Sequence, residues 1–582
     1  MNSSINTASN IRPPTRRVER RIVPKINCLI ERLLLARGVN AWSLEDRALP
    51  ALLAPNNMKG INQAVEILSK AIQSNKLILI VGDYDVDGAT SSALFMSGFK
   101  AMGAQRVHYF VPDRFKLGYG LSEAVVNTIA YLKPDLLITV DNGISSFAGV
   151  QRARDLGIEV IITDHHLPAE QLPNADAIVN PNQKDCTFSS KSLAGVGVAF
   201  YVLTALRRCL QAEQWFEKQG LEIPNLASYL DLVALGTVAD LVPLDQNNRI
   251  LVYQGLRRIR QQRTRPGIQA LAEVAKKSLT DLTAADLGFG LAPRLNAAGR
   301  LEHMGLGIDC LLTDDIQAAR LMAQELNTLN LERRRIEAEM KMQAEVALEK
   351  LQFQRVPEGI VLFDPRWHQG IIGILASRIK EIWLRPVIAF AATDDGKLKG
   401  SGRSIAGIHL KDILQEIAQA NPLWLESYGG HAMAAGLTLH ACYLELFIEE
   451  FSNRVARFLQ VNNSAEIIFS DGILQPFEFS VSTAQAVEDA GPWGQNCPEP
   501  IFDGNFKVIQ RRILADKHVK WTLKPEASNF TVDAIAFFAN EELLTTTPQA
   551  LNLAYKLSIN HYACQSKVQL IAEHIEIADS LK

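Results

Sequence analysis

The sequence predicts a multidomain α/β protein with a parallel-sheet domain, a long connecting helix, a second α/β domain and a C-terminal β-barrel. Three features predict it: apolar runs that each end in a polar or acidic loop over residues 77–182, a stretch without Gly or Pro at 316–350, and closely spaced strand signals after residue 464. A chain of 582 residues has room for three or four domains at roughly 150 residues each. Hydrophobic content of 47%, charged content of 21% and 24 prolines belong to an ordinary globular protein and exclude disordered, collagenous and disulfide-framework chains. No apolar run approaches the roughly 20 residues of a membrane span. The seven cysteines stand singly, with no C-x-x-C pair, which argues against a zinc finger or secreted scaffold and for a reducing cytoplasm.

Each element follows in order. The first residues carry Arg12, Arg16 and Arg17 among Pro, Ser and Asn but no apolar core, so they read as a frayed tail rather than a secretory signal. Leu77-Ile78-Leu79-Ile80-Val81 then runs into Gly82-Asp83-Tyr84-Asp85-Val86-Asp87-Gly88, and Val107-His108-Tyr109-Phe110-Val111 into Pro112-Asp113-Arg114. Leu136-Leu137-Ile138-Thr139-Val140 leads to Asp141-Asn142-Gly143, Val160-Ile161-Ile162 to Thr163-Asp164-His165-His166, and Ala177-Ile178-Val179 to Asn180-Pro181-Asn182. Short continuous apolar runs alternating with helical stretches are buried parallel strands, and ligands bind such sheets beyond the strands' carboxyl ends. Five loops therefore stand where they can converge on one site.

Residues 316–350, with Met322, Leu326, Leu329, Ile336 and Met340 at helical spacing, form one amphipathic helix. At 1.5 Å per residue it is about 50 Å long, enough to connect two domains. A second α/β unit follows over 359–459, with strands near 360–363 and 386–390. After residue 464, strands at 466–469, 506–510, 519–523, 531–537, 555–560 and 567–574 suggest a small antiparallel barrel.

The chemistry lies in the loops. Asp83-x-Asp85-x-Asp87-Gly88 could open a calcium loop, but position twelve is Leu94 and a strand, not a helix, precedes it. Three carboxylates within five residues at a strand end repel one another unless they stay solvated or share cations, and a buried metal site explains them best. Asp141, Asp164-His165-His166 and the acid closing Gly236-Thr237-Val238-Ala239-Asp240 add to it. Carboxylates with imidazoles and no thiolate favour Mn²⁺ or Mg²⁺, and two such ions about 3.5–4 Å apart can activate water against a phosphate ester. The net charge of −3 excludes nucleic-acid binding by a general basic field, so such contacts must be local. Arg403 and His431 lie among glycines that let backbone approach a phosphate, and Arg294, Asn296 and Arg300 form a second polar cluster. Lys517, His518, Lys520 and Trp521 suit backbone contact and base stacking, although Trp521 reads equally well as barrel core. Arg257-Arg258-Ile259-Arg260-Gln261-Gln262-Arg263 is basic too and reads at least as well as a solvated helix face.

D-Y-D-V-D-G, P-D-R, V-D-N-G, D-H-H and G-T-V-A-D, in this order, resemble the DHH phosphoesterase superfamily. G-S-G-R-S with G-G-H-A-M-A-A-G is similar to its DHH-associated domain, and A-P-R-L-N-A-A-G-R at 292–300 is similar to a segment of the RecJ branch, the single-strand-specific DNA exonucleases. The resemblance implies an N-terminal segment at 1–75, the DHH domain at 76–314, the helix at 315–350, the DHH-associated domain at 351–460 and an oligonucleotide-binding (OB-like) barrel at 464–582. It implies that Asp85, Asp87, Asp141, His165 and Asp240 coordinate two divalent metals, Asp141 bridging. His166 would face the phosphate or a metal, and Asp83 and Asp164 would hold these ligands in place. Asp141, His165 and His166 would then carry catalysis, and no Ser or Cys nucleophile is needed. Arg294, Asn296, Arg300, Arg403, His431, Lys520 and Trp521 would hold the strand.

The function this implies is 5′-to-3′ exonuclease action on single-stranded DNA in recombination and repair, by a cytoplasmic monomer whose partners by family resemblance are a single-strand-binding protein and a helicase. Hydrolysis of very short RNAs or cyclic dinucleotides is a second reading, weakened by the extra barrel. A non-catalytic scaffold is a third, weakened because every candidate ligand is present.

Overall fold

The computed structural model describes residues 16–22, 26–40, 42–43, 45–113, 116–117, 119–350, 357–393, 395–459, 466–526, 528–562 and 565–578. They fall into two compact units: Arg20–Asn330 with Ser470–Lys582, and Leu331–Phe469 with the chain up to Glu19.

The first unit is built on a five-stranded sheet of β1 (Ile78–Gly82), β2 (Val107–Phe110), β3 (Leu136–Val140), β4 (Glu159–Thr163) and β5 (Ala177–Val179). All neighbours pair in parallel, in the order β2-β1-β3-β4-β5. Strands β1 and β3 are buried along their whole length, because helices cover both faces. Ile78, Ile80, Ile138 and Val140 pack with α1 (Val86–Ala101), α2 (Gly195–Ala212) and α3 (Leu230–Ala239); Leu79, Val81, Leu137 and Val160 pack with the helices Glu123–Ile129 and Phe147–Asp155. Each such aliphatic side chain contributes about 1.5–3 kcal/mol on burial, which is why the strands read as unbroken apolar runs. Strand order reverses between β1 and β3, and a doubly wound sheet opens its ligand crevice at that point.

The barrel belongs to this same unit. Phe502–Leu514, His518–Pro525, Val532–Ala536, Gln565–Ala578 and Ala550–Tyr562 close on themselves around Phe502, Phe506, Trp521, Tyr555 and Leu570. Two expectations are corrected. Val532–Ala536 and Gln565–Ala578 pair in parallel, so the barrel is not wholly antiparallel. The strand Glu466–Ser470 lies outside the barrel and pairs with Arg16–Arg20, so that part of the expected frayed tail is a strand; Arg12 lies outside the described residues. The N-terminal segment is spread over the unit, with Leu29 and Leu33 in the barrel core and Ile61, Val65 and Leu68 against the sheet domain. The fully buried Arg249 joins sheet domain to barrel, donating to the carbonyls of Pro492 at 2.7 Å and Ala490 at 2.8 Å and lying over the Trp42 ring.

The helix Ile316–Lys350 runs, as the sequence predicts, from the first unit into the second. The second unit holds a mixed sheet in the order Leu425–Gly430, Ala434–His440, Lys397–Arg403, Val387–Ala392, Ile360–Phe363. Only the last pair runs parallel.

Candidate metal centre

The loops after β1, β3, β4 and β5 meet at the switch point. Asp85 is the N-cap of α1: its carboxylate accepts from the N–H groups of Asp87 at 2.9 Å and Gly88 at 3.1 Å. That turn carries Asp87 to the mouth of α2, where its two oxygens accept from the N–H groups of Gly195 at 2.5 Å and Val196 at 2.9 Å. Asp141 ends β3 in the left-handed region, at φ 61°, and the Asn142 amide ties the carbonyls of Val81 and Val140 beneath it. An aspartate tolerates that backbone at modest cost, and the turn lifts its carboxylate above the sheet. Asp240 comes from elsewhere, as the residue ending α3 rather than a strand.

His165 Nε2 lies 3.0 Å from Asp141 Oδ1, 3.4 Å from Asp240 Oδ2 and 4.0 Å from Asp87 Oδ2. Ligand atoms within 4.8 Å of one another fall into three overlapping groups: Asp141, His165 and His166; Asp87, His165 and Asp240; Asp83, Asp85 and Asp141. Asp141 and His165 each belong to two groups; of the two, only the Asp141 carboxylate, with two oxygens, could be shared by neighbouring ions. Asp83, expected only to hold the ligands in place, also has an oxygen within reach of Asp85 and Asp141.

Burial, then the neighbouring Asp87 and Asp85 charges, pushes the Asp141 carboxyl well above the ordinary range; burial and the same two charges do so for Asp240. Asp87 is raised to about 7, mostly by burial and then by Asp85. The oxygens Asp141 Oδ1 and Asp240 Oδ2 are buried and accept no well-formed hydrogen bond among the described residues, although His165 Nε2 stands close to both. Buried acceptors in that state require protons or cations. The donor set of carboxylate oxygens and imidazole nitrogen, without thiolate, fits hard divalent ions.

Asp164 stands apart from these groups. Its oxygens accept from the N–H groups of His165 at 2.7 Å, His166 at 3.1 Å and Ile144 at 2.9 Å, and Oδ1 lies 2.7 Å from His166 Nδ1. Burial works against its charge, yet the His166 bond holds the carboxyl below its usual value. The same pair keeps His166 raised to about 9 despite the burial that lowers it. Asn180 and Asn182 hold the carbonyls of His166 and His165 at 2.9 and 2.6 Å.

Sequence reasoning missed several parts of the centre. The Gly195-Val196 N–H groups stand more than 100 residues from their acceptor, and Tyr119, whose hydroxyl donates to the Asp141 carbonyl at 3.2 Å, lies in no recognised motif. Only glycine fits at 195, since a Cβ would stand 2.7 Å from that of Asp141. The run of small residues Ala194-Gly195-Val196-Gly197 was the one signal that could have found it.

The strand-holding candidates separate. Asn296 sits at the centre, accepting from the Val86 N–H at 3.2 Å, and Gly299 on the same helix, Ala292–Leu301, packs against the Tyr84 carbonyl. Arg300 is half-buried on that helix. The half-buried Arg294 bonds Asn327 at 3.0 Å, the Val274 carbonyl at 3.3 Å and the Gly290 carbonyl, so it braces helices. In the second unit Arg403 pairs in register with Ala434, three residues past His431, so one sheet end carries both. Burial lowers the Arg403 pKa, and its bonds go to Ser401 Oγ and the Gly402 carbonyl rather than to a carboxylate.

Trp521 is corrected as a stacking residue. His518–Pro525 alternates outward and inward, so Lys520 faces out, paired with Asp533 at 2.7 Å, while Trp521 is fully buried in the barrel. Exposed aromatics beside it are Phe537 and Phe538, whose rings lie 5.3 and 4.9 Å from that of His518; Lys517 stands over Phe538.

A doubly wound sheet whose switch point gathers carboxylates and imidazoles for divalent ions, followed by a second mixed-sheet unit, defines a metal-dependent phosphoesterase of the DHH class. Comparison with known families agrees: residues 77–237 match the DHH family N-terminal domain, 354–460 the DHHA1 domain and 470–574 the RecJ OB domain. The single-stranded-DNA-specific exonuclease RecJ of Escherichia coli (strain K12) is 48% identical over 550 residues, 94% of this chain and 95% of the relative. That of Dickeya dadantii (strain 3937) is 48% identical over 567 residues, 97% and 98% of the two chains. The crystal structure of RecJ from Thermus thermophilus in complex with Mn²⁺ superposes with a TM-score of 0.79 at 30% identity, covering 98% of this chain and 80% of that one. A Mg²⁺ complex of the same protein gives 0.74 at 29% identity, over 98% and 79%. The chain belongs to the RecJ family.

Proposed function

We propose that this protein hydrolyses single-stranded DNA exonucleolytically from the 5′ end, in DNA recombination and repair, using two divalent ions, Mn²⁺ or Mg²⁺. The observation that carries this is the pair of buried carboxylate oxygens, Asp141 Oδ1 and Asp240 Oδ2, crowded against His165 Nε2 without a well-formed hydrogen bond among the described residues. Asp85, Asp87, Asp141, His165 and Asp240 hold the ions, with Asp141 shared and Asp83 within reach. Bound there, the ions supply the positive charge that acidifies a water and offsets the charge of the phosphodiester.

The chain's own residues do the rest. Asp87 is fixed by the Gly195 and Val196 N–H groups, so its oxygens keep their direction when charged. His166, protonated through Asp164, turns its other ring nitrogen to a phosphate oxygen. Arg403, without a carboxylate partner, binds a backbone phosphate, as do His431, Arg300 and Lys520, and Asn296 orders the Asp85 loop. Family resemblance extends the reading to a cytoplasmic monomer working with a single-strand-binding protein and a helicase. No helix among the described residues is long and apolar enough to cross a membrane.

The test offers purified protein with Mn²⁺ end-labelled single-stranded DNA, duplex DNA, short RNA and a cyclic dinucleotide in parallel. Single strands should be degraded, release should begin at a 5′ label, and EDTA should stop it. Equal rates on duplex and single strand would refute the strand specificity.

A further inference from the structure

The basic string at 257–263, unused by the hydrolytic centre, helps to line a second cavity of about 620 Å³. Lys100, Arg258, Arg263 and Arg265 line it with Tyr229, and Asp314 is the one acidic residue in the lining. Arg265 is already neutralised, two of its nitrogens lying 3.3 Å from the buried Asp231 carboxylate, and its third donates to the Leu311 carbonyl. Its guanidinium also lies over the Tyr229 ring at 6.0 Å. The other three cations have no carboxylate partner among the described residues. Arg258 gives one nitrogen to the Arg263 carbonyl at 3.0 Å, and its Nε is buried without an acceptor. Neither Lys100 nor Arg263 forms an ion pair among the described residues; both are exposed.

The place is separate from the metal centre. Lys100 is at the C-terminal end of α1, thirteen residues beyond Asp87, which is about 20 Å along a helix. Tyr229 precedes α3, whose far end carries Asp240. The cavity and the centre thus occupy opposite ends of the same two packed helices.

We propose that this cavity is a binding site for a nucleotide phosphate, distinct from the hydrolytic centre. Three cations without carboxylate partners face one cavity lined by a single acid, and arginine donors match phosphate oxygens in pairs. The volume is that of a small-ligand site, and Tyr229 supplies a flat wall beside which a base can lie. Free nucleoside monophosphate released by the enzyme and the backbone of a bound strand share this chemistry.

The experiment is calorimetric titration in EDTA, where the metal-free centre is a cluster of carboxylates that repels anions and hydrolysis is absent. Wild type, K100Q/R263Q and R258Q receive inorganic phosphate, dTMP, thymidine and a 5′-phosphorylated octathymidylate. Phosphate and dTMP should bind and thymidine should not, with each lost cation weakening binding about tenfold. Binding of dTMP identifies the free nucleotide as ligand. A K100Q/R263Q effect confined to the oligonucleotide identifies the strand backbone and still upholds a phosphate site. Because Lys100 and Arg263 are exposed and unpaired, that variant keeps its fold, checked by thermal melting. Unchanged affinity for all three phosphates in K100Q/R263Q would overturn the proposal.

Discussion

Substituting Gly195→Ala tests the centre without removing any candidate ligand. The added Cβ would stand 2.7 Å from Asp141 Cβ, 3.0 Å from Asp141 Cα and 3.0 Å from Asp87 Oδ2. Ordinary contacts begin near 3.4 Å, so Asp141 and the mouth of α2 must part by about 0.7 Å. Two of the three atoms belong to the Asp141 turn, held by Asn142 and by the Asp141 N–H to the Thr163 carbonyl, so no flexible side-chain end can absorb the shift. A misplacement of about 1 Å at a reacting centre costs on the order of 10²-fold, so kcat should fall roughly 30- to 100-fold. Overpacking costs about 1–3 kcal/mol of stability, partly offset by the gain of up to about 1 kcal/mol for alanine over glycine in a helix. The assay is Mn²⁺-dependent release of nucleotides from labelled single strands, with Mn²⁺ affinity by calorimetry and melting in EDTA. A variant with kcat within twofold of wild type and unaltered Mn²⁺ affinity would show that the Asp141–Asp87 spacing does not govern the reaction.

Other outcomes follow from the same geometry. Asp141→Asn should lower hydrolysis by on the order of 10³-fold, because the proposed metal site loses a charge at its centre. In EDTA the same variant should melt higher than wild type, since a buried carboxyl crowded by Asp87 and Asp85 has been neutralised. Because the folded pKa of Asp141 is raised, the wild-type carboxyl favours folding below its unfolded value near 3.8 and loses that advantage as pH rises through the folded value. The melting difference in EDTA should therefore widen with rising pH; a difference that narrows would contradict the sign. Trp521→Ala should cost about 3–5 kcal/mol as a core cavity, read by denaturant melting, whereas Phe537→Ala/Phe538→Ala should leave stability unchanged and raise KM for single strands. The reverse pattern would return Trp521 to the DNA surface. Arg249→Ala should destabilise by about 2–4 kcal/mol, because the Ala490 and Pro492 carbonyls lose a buried donor.

By itself the sequence determined what local chemistry dictates. Strands buried on both faces must be apolar throughout, so β1 and β3 could be read within a residue or so of their ends, and the acids following them marked the ligand side of the sheet. The unbroken helix at 316–350 was equally legible, since nothing in it interrupts the backbone ladder. Tertiary structure decided whatever depends on pairing at a distance. Asp240 reaches the centre from a helix end, Asp87 is held by N–H groups more than 100 residues away, and the N-terminal segment is shared between two cores. The inward face of Trp521 depended on strand register: with a period of two, a shift of one residue exchanges core for solvent, and only the closed barrel sets that parity. The bonds of Arg294 depend on distance in the same way, since the carbonyl of Val274 is brought to it only by the folded helices.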